Sequence, residues 1–328
     1  MFSAEGYQAL RQGAGVVRRG DRGILAVSGP DRLTWLQGLL TNDVVALPIG
    51  GVCDAAYLTP QGRMITDMRV VNLAEQTLLD VPGSLAEALR SKLDGLLFSE
   101  DARIADLTRS LLVLDGHGPQ APRLLAKLPE QLKARVIVIA DSPYGVPGFS
   151  VFAPADDLDA VQSALAAGCG VVTTLETLDV LRVEAGRPAF LIDMDEHTIP
   201  LEAGIENRAI SFTKGCYVGQ EIIVRVIQRG HGRVAKKLAG LWLEKAELPK
   251  RSDLIFAGDR EIGRVTSAVW SPTLERGIAL GYLHRDYLDV DTPVLVMTPS
   301  GPVDARVSSL PFIANRTAPE VGREQRTL

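Results

Sequence analysis

The chain has 328 residues, of which 46% are hydrophobic and 23% are charged, values that fit a globular protein of two or three compact units. A formal net charge of −5 argues against a dedicated DNA- or RNA-binding protein. No stretch approaches the ~18 uninterrupted apolar residues of a membrane helix, and the N-terminal segment lacks the apolar core of a signal peptide.

The first predicted elements are a strand and a helix. An apolar strand around Ile24–Val27 is interrupted by Gly29 and Pro30, and proline suits a first helical turn. Leucines at positions 33, 36 and 40 follow at helical spacing. We expect this helix to end near Thr41 and Asn42, because both residues cap or turn well.

A hairpin is predicted next, over residues 54–71. Pro60 and Gly62 take turn positions between its strands, and side chains after the turn alternate between two faces. A strand at Thr77–Val81 then leads into a helix that Ser84 and Glu87 open at capping-box spacing.

The middle of the chain repeats this mixture. Three apolar strands are predicted within residues 110–154, and a helix that follows them is closed by Gly168. A second capping box, Thr173 and Glu176, opens another helix, with Gly186 past its end. Because strands and helices alternate without the regular rhythm of a doubly wound sheet, we predict an α+β body of two lobes with mostly antiparallel sheets.

After about Arg233 the predicted elements are short strands separated by glycine, proline and aspartate. This pattern indicates a small C-terminal β-barrel. We therefore divide the chain into an α+β region at 1–235, a barrel at 236–313 and a polar tail at 314–328 that we expect to be disordered.

The three cysteines, Cys53, Cys169 and Cys216, form no CxxC pair. This usage is typical of a reducing compartment, so we expect a cytoplasmic protein without a metal site. Cys216 lies in the permissive stretch KGCYVGQE, near Lys214, which favours a thiolate, and beside Gly215, which lets backbone amides approach a ligand. The alternative is a small buried cysteine in a turn.

The chain resembles the YgfZ family of folate-binding proteins, relatives of the glycine-cleavage T-protein, an aminomethyltransferase. The most discriminating segment is Lys214, Gly215, Cys216, Tyr217, Gly219, Gln220 and Glu221, since T-proteins generally lack this cysteine. Four other segments that match in order are WLQGLLTNDV, YLTPQGRMITD, LRVEAGRPAFLIDMDEHTIPLEAG and IGRVTSAVWSPTLERGIALGYL.

The resemblance implies three lobes around a channel that binds tetrahydrofolate or a derivative. It implies an accessory factor in iron–sulfur cluster assembly or repair, whose partners are assembly proteins or cluster-containing client enzymes and which supports tRNA modification indirectly. Direct nucleic-acid binding and membrane binding are not expected. Cys216 would lie near the channel mouth and take part in thiol chemistry.

Glu184 is the first candidate for binding folate. A carboxylate can accept two parallel N–H bonds from the amino-pyrimidine edge of a pterin, and the resemblance assigns this role to the glutamate of LRVEAG. The alternative is an ordinary solvated helix glutamate.

Asp67 is the second candidate, for folate contact and catalysis. The T-protein hairpin carries two neighbouring aspartates here, one of which works near the folate nitrogen, whereas this chain has Thr66 before Asp67. The missing carboxylate argues against aminomethyl transfer, which needs a group that holds or relays a proton. A charge on the hairpin face is the alternative interpretation of Asp67.

Several further residues could hold the ligand. Arg225 and Arg233 are candidates for the glutamate tail of folate, and Arg187 is a candidate for the ring or for a structural ion pair. Asn42 matches the family, although a turn role explains it equally well.

Two other functions compete with the accessory factor. One is a folate-dependent one-carbon transferase, above all an aminomethyltransferase of the glycine cleavage system; whether the protein is an enzyme at all is left open. The other is a non-catalytic scaffold that has lost its folate.

Overall fold

A computed structural model describes residues 1–230, 232–245 and 247–314 of the chain. It contains two five-stranded sheets with their helices and one closed barrel. This arrangement confirms the predicted α+β body and C-terminal barrel. The predicted tail from 315 onward lies outside the described residues.

The first lobe is an antiparallel sheet formed mainly by the predicted hairpin and its neighbours. Alternation along the strands places leucine, valine and methionine against two helices, where they form a buried core. The strands in spatial order are β3 (Val52–Leu58), β4 (Met64–Asn72), β5 (Gln76–Pro82), β2 (Arg22–Ser28) and β6 (Arg103–Asp106), and the helices are α2 (Arg32–Leu39) and α3 (Ala86–Asp94).

The second lobe takes in the N-terminal residues. Its strands in spatial order are β10 (Val171–Thr173), β1 (Gly15–Arg18), β7 (Leu111–His117), β9 (Gly148–Pro154) and β8 (Ile137–Asp141). Only the β1–β10 pair is parallel. The helices are α1 (Ala4–Gln12), α4 (Ala121–Ala126), α5 (Glu130–Lys133), α6 (Leu158–Ala167) and α7 (Leu175–Glu184).

Both predicted capping boxes are wrong in detail. Helix α3 follows a 3-10 turn at Gly83–Leu85, and no side chain caps it. Helix α7 is capped by Thr174, whose hydroxyl accepts the N–H of Thr177, so the cap lies one residue later than predicted. A capping side chain needs extended backbone at its own residue, which Thr174 has.

The barrel follows three connecting helices, α8 (Pro200–Ala203), α9 (Glu206–Ala209) and α10 (Gln220–Gly230). Helix α10 was not predicted from the sequence. Pairing of the last barrel strand with the first closes the barrel. Its strands in spatial order are β11 (Lys236–Leu243), β14 (Arg276–His284), β13 (Arg260–Ser271), β12 (Leu254–Ala257), β15 (Pro293–Thr298) and β16 (Gly301–Ser308).

Apolar contacts join the three units. Residues of β2 and β5 pack with residues of β7, β8 and β9 in one buried cluster between the sheets, and Val183 of α7 packs with barrel residues such as Ile278 and Phe312. This packing leaves a large opening between the lobes. No helix among the described residues is both long enough and apolar enough to cross a membrane.

Candidate functional site

A cavity of about 1240 Å³ lies where the two sheets, α7 and the barrel meet. This volume is above the usual range for small-molecule sites, so a ligand of several rings and a tail can enter. The three units all contribute to its wall. Representative lining residues are Arg22, Asp67 and Asp80 of the first sheet, Asp115 and Tyr144 of the second lobe, Asp179 of α7, and Trp270 of the barrel.

The wall of this cavity includes unusually exposed apolar side chains. Six large hydrophobic residues that line it are at least one-third exposed, although most residues of their kind are buried. They are Phe2, Leu175, Leu191, Ile192, Leu248 and Trp270. Such a surface suits the flat faces of aromatic rings.

Charged groups deeper in the cavity hold one another in place. Asp115 accepts hydrogen bonds from Ser150 (2.5 Å) and Arg19 (2.7 Å), and Arg69 donates to Asp80 (2.7 Å) and Ser150 (2.8 Å). Burial disfavours the charged form of Asp115, but the charges of Arg19 and Arg69 outweigh burial and hold its pKa well below the usual range. These residues therefore form a fixed charged wall.

Asp67 differs from these carboxylates. It lies on β4 and lines the cavity, yet among the described residues its side chain makes no hydrogen bond and no salt bridge. Burial raises the pKa of Asp67, and the charges of Arg208 and Arg22 offset only part of that effect. A carboxyl group of this kind can exchange a proton with a bound ligand.

Arg187 also lines the cavity, but its guanidinium is already paired. One of its nitrogens donates to both carboxylate oxygens of Asp54, at 2.9 and 2.7 Å, and Arg208 donates to the same aspartate at 2.9 Å. The structure therefore favours the structural ion pair, one of the two roles considered for Arg187.

Glu184 requires a correction. Its side chain is fully buried and does not line the cavity. Its oxygens accept hydrogen bonds from Tyr7 (2.7 Å), Ser271 and Arg11, the last being also a salt bridge. Because these donors occupy the carboxylate, the pterin-edge role predicted for Glu184 has no geometric basis, and Glu184 instead joins α7 to α1 and the barrel.

The side chains and backbone of the stretch Lys214–Glu221 mostly make contacts within the fold. The Lys214 ammonium donates to the carbonyl oxygens of Gln37 (2.6 Å), Leu40 (2.6 Å) and Asn42 (3.0 Å) at the end of α2. Tyr217 is buried, and its backbone N–H donates to the side chain of Gln220 at 3.3 Å.

Gly219 has a left-handed φ of +84°, and a Cβ there would come within 2.5 Å of the carbonyl oxygen of Thr59. Only a glycine fits this approach of the stretch to the first hairpin. Glu221 is exposed in the first turn of α10, where a negative charge is favourable.

Cys216 is exposed and does not line the cavity. A Cβ on the neighbouring Gly215 would meet open space. Cys53 behaves differently, because burial raises its pKa to about 12. The buried-turn alternative for Cys216 is thus wrong, but its predicted place at the channel mouth is not supported by the lining residues either.

The remaining predicted site residues lie outside the cavity wall. Arg225 is on the exposed side of α10 and Arg233 is in the exposed loop before β11. Asn42 donates to the backbone oxygens of Asp54 (2.7 Å) and Arg208 (3.1 Å), and its side-chain oxygen accepts the N–H of Asp43 (2.9 Å), so its role is structural. Of the predicted folate residues, the structure brings together Asp67 and Arg187 only.

The charged wall was not among the predicted site residues. Its signal was available: Asp80 and Asp115 each stand within otherwise apolar strands, and both are almost completely buried. A carboxylate in an apolar strand needs a cationic partner. The partners Arg19, Arg22 and Arg69 are distant in sequence, so the cluster could not be assembled without the fold.

Comparison with known proteins agrees with this architecture. The structure of the glycine cleavage system aminomethyltransferase T from Bartonella henselae superposes with a TM-score of 0.85 at 22% identity, covering 95% of this chain and 90% of that chain. The fold is therefore that of this class of protein. Among the described residues, no group of three or more potential metal ligands is present.

The family follows from sequence matches. Residues 2–214 match the GCVT N-terminal domain, and residues 236–313 match the glycine cleavage T-protein C-terminal barrel domain. The chain belongs to the glycine cleavage T-protein family.

Two relatives show how far the similarity extends. An aminomethyltransferase of Rubrobacter xylanophilus is 30% identical, over 96% of this chain and 88% of its own length. One from Geobacillus sp. is 27% identical, over 94% of this chain and 89% of its own length. These names match the competing one-carbon transferase better than the YgfZ-type accessory factor.

Proposed function

We propose that the cavity binds tetrahydrofolate or a derivative and that the protein is a folate-dependent one-carbon transferase of the aminomethyltransferase type. The observation that carries this proposal is Asp67, a cavity carboxyl group without a partner among the described residues. Family membership and the names of the relatives support the same substrate class.

The shape of the cavity suits a reduced folate. Its volume of about 1240 Å³ accommodates a pterin, an aminobenzoate ring and part of the glutamate tail. The exposed apolar side chains, such as Trp270 and Leu191, offer faces for the rings. The charged wall around Arg69 makes this side of the cavity polar, and Asp67 on the same sheet is a carboxyl group without a hydrogen-bond partner among the described residues that can meet the pterin edge.

Asp67 would handle the protons of the transfer. When the methylene group of an aminomethyl thioether moves to tetrahydrofolate, two folate nitrogens form C–N bonds and lose one proton each. The C–N bond to the amine and the C–S bond to the carrier break, and each departing group gains one proton. A carboxyl group whose pKa is raised by burial can accept the first proton and return it to the amine. Asp67 would therefore act as a general base and then as a general acid.

The missing carboxylate at position 66 is a weaker argument against aminomethyl transfer than the sequence suggested. Thr66 is 1% exposed and does not line the cavity, and its hydroxyl donates to the backbone oxygen of Asp67 at 2.8 Å. Because neighbouring residues of a strand point to opposite faces, a carboxylate at position 66 would enter the packed interior. The cavity-facing carboxylate of the pair is the one that this chain retains.

A second candidate is a folate-binding accessory factor in iron–sulfur cluster assembly, as in the YgfZ family. The observation that favours it is Cys216, which is exposed in a loop whose other characteristic side chains, such as Lys214 and Tyr217, are bound to the fold. Such a thiol is accessible to a partner protein.

One experiment separates the two candidates. Methylene transfer from an aminomethyl-lipoyl carrier protein to tetrahydrofolate is measured for the wild type, Asp67→Asn and the control Glu176→Gln, an exposed carboxylate of the same cavity. We expect turnover that falls by about 100-fold or more in Asp67→Asn, the typical contribution of a general acid–base, and by less than about 3-fold in the control.

Absence of turnover in a wild type that binds tetrahydrofolate would overturn the transferase proposal. Loss of a cluster-dependent enzyme activity in cells that carry Cys216→Ser, with Asp67→Asn still active there, would then favour the accessory factor.

A further inference from the structure

A second, smaller cavity of about 250 Å³ lies between residues 192–198 and the barrel. Its wall carries three cationic side chains, Lys236 of β11, Arg251 of the loop before β12, and Arg264 of β13. Among the described residues, none of the three is in a salt bridge. Within the same described residues, the Arg251 side chain donates one hydrogen bond, to the backbone oxygen of Leu191 at 2.9 Å.

The carboxylates of this cavity are already occupied. Asp193 accepts from Thr266 (2.5 Å), Ser267 (2.7 Å) and Arg182 (2.5 Å). Asp195 accepts from the hydroxyl of Thr198 at 2.9 Å and from the backbone of His197 at 3.0 Å. Arg182 pairs with Asp193, whereas Asp195 has only neutral donors in the part of the chain that the structure describes and keeps its negative charge. Three cationic side chains therefore face two carboxylates in this wall.

Tyr282 of β14 provides an independent indication of a ligand. Its side chain lines this cavity and is only 5% exposed. Among the described residues its hydroxyl makes no hydrogen bond of normal geometry, although the Thr198 hydroxyl lies near it. A buried hydroxyl without a partner is unfavourable unless something else satisfies it. The ammonium of Lys236 lies 5.0 Å from the centre of the tyrosine ring, so a donor and a cation are adjacent.

We propose that this cavity binds a phosphate group. A tetrahedral oxyanion has enough acceptor oxygens for Lys236, Arg264 and the Tyr282 hydroxyl together, and guanidinium groups match its geometry. The small volume of about 250 Å³ suits inorganic phosphate or the phosphate end of a monoester. The site uses none of the Asp67 machinery, although Ile192 lines both cavities.

Calorimetric titration of the full chain with inorganic phosphate, and separately with methyl phosphate, tests this site at constant ionic strength. The variants are Arg264→Gln, Tyr282→Phe and Lys250→Gln. Lys250 is exposed next to Arg251 but does not line the cavity, so it controls for the loss of one surface charge.

We expect saturable binding that weakens at least 10-fold in Arg264→Gln and about 3-fold or more in Tyr282→Phe, with Lys250→Gln unchanged. Tighter binding of methyl phosphate would identify a monoester as the ligand, and tighter binding of inorganic phosphate would identify the free ion. No saturation by either compound, or equal weakening in Arg264→Gln and Lys250→Gln, would overturn the proposal.

Discussion

The cavity wall and the loop Lys214–Glu221 hold their reactive groups in opposite ways. In the cavity, charged residues pair with one another, while the carboxyl group of Asp67 faces the interior without a partner in the described part of the chain. In the loop, Lys214, Tyr217 and Gly219 attach the backbone to the fold and leave one thiol, Cys216, facing outward. The first arrangement suits chemistry on an enclosed small molecule, and the second suits contact with another macromolecule.

Substitution of Glu184 should give the largest change in stability. This residue resembles a site carboxylate in the sequence, but its side chain is buried in an ion pair in the fold. Removing one member of a buried ion pair leaves the other uncompensated. We expect Glu184→Ala to lower the free energy of unfolding by about 3–5 kcal/mol, measured by urea denaturation, with tetrahydrofolate affinity unchanged where the variant is folded. The control Glu75→Ala, at an exposed glutamate, should change stability by less than about 0.5 kcal/mol.

A large loss of folate affinity in Glu184→Ala without loss of stability would support the predicted pterin-binding role of Glu184 and contradict its structural role.

Substitution of Lys214 tests whether this side chain anchors the loop to the fold. Its ammonium satisfies three backbone carbonyl oxygens at the end of α2. We expect Lys214→Met to lower the free energy of unfolding by about 1–3 kcal/mol, the usual cost of leaving such acceptors unpaired. Thermal or urea unfolding measures this change.

Lys92 is the matched control, since it is an exposed lysine in the last turn of α3. Lys92→Met should cost less than about 0.5 kcal/mol. Equal effects of the two substitutions would mean that the loop is not anchored through Lys214.

Much of the fold was predictable from local sequence, but the arrangement of the site residues was not. Turn residues such as Pro60 and Gly62 mark the hairpin, and the short strands after Arg233 mark the barrel, because these signals act over a few residues. Glu184 shows the limit: its helix was predicted, but the orientation of its side chain depends on Tyr7, Arg11 and Ser271, which are far away in the chain. Asp67 was found through the resemblance to the T-protein hairpin, and strand alternation places it on the face opposite Thr66.

The pH dependence of stability tests the unpaired state of Asp67. Its pKa is raised above the ordinary value of 3.8 by burial, so the native protein retains this proton to higher pH than the unfolded chain does. The stability that the protonated group provides is complete below pH 3.8 and is lost as the pH rises through the raised native value. The asparagine side chain of Asp67→Asn does not titrate, so this variant should keep its stability as the pH rises.

Urea unfolding of both proteins between pH 3 and pH 8 would show the difference. Relative to the wild type, Asp67→Asn should gain stability as the pH rises and keep that gain up to neutrality. A relative loss over the same range would indicate a salt bridge to Asp67 and contradict the proposed site.

Cys216 should give the smallest effect on the folded protein. Because the side chain is exposed, we expect Cys216→Ser to change the free energy of unfolding by less than about 0.5 kcal/mol and to leave tetrahydrofolate affinity unchanged. Calorimetry and urea denaturation measure both quantities. A substantial loss of either one would place the thiol within the fold or the folate site, and would end the contrast between the loop and the cavity.

The most direct test is a crystal structure of the protein with tetrahydrofolate bound. We predict electron density for the pterin between the two sheets and the barrel, with a ring nitrogen within hydrogen-bond distance of the Asp67 carboxyl group and the rings against the exposed apolar side chains around Trp270. Folate density outside this cavity, or a pterin held by Glu184 with Asp67 remote from it, would contradict the account.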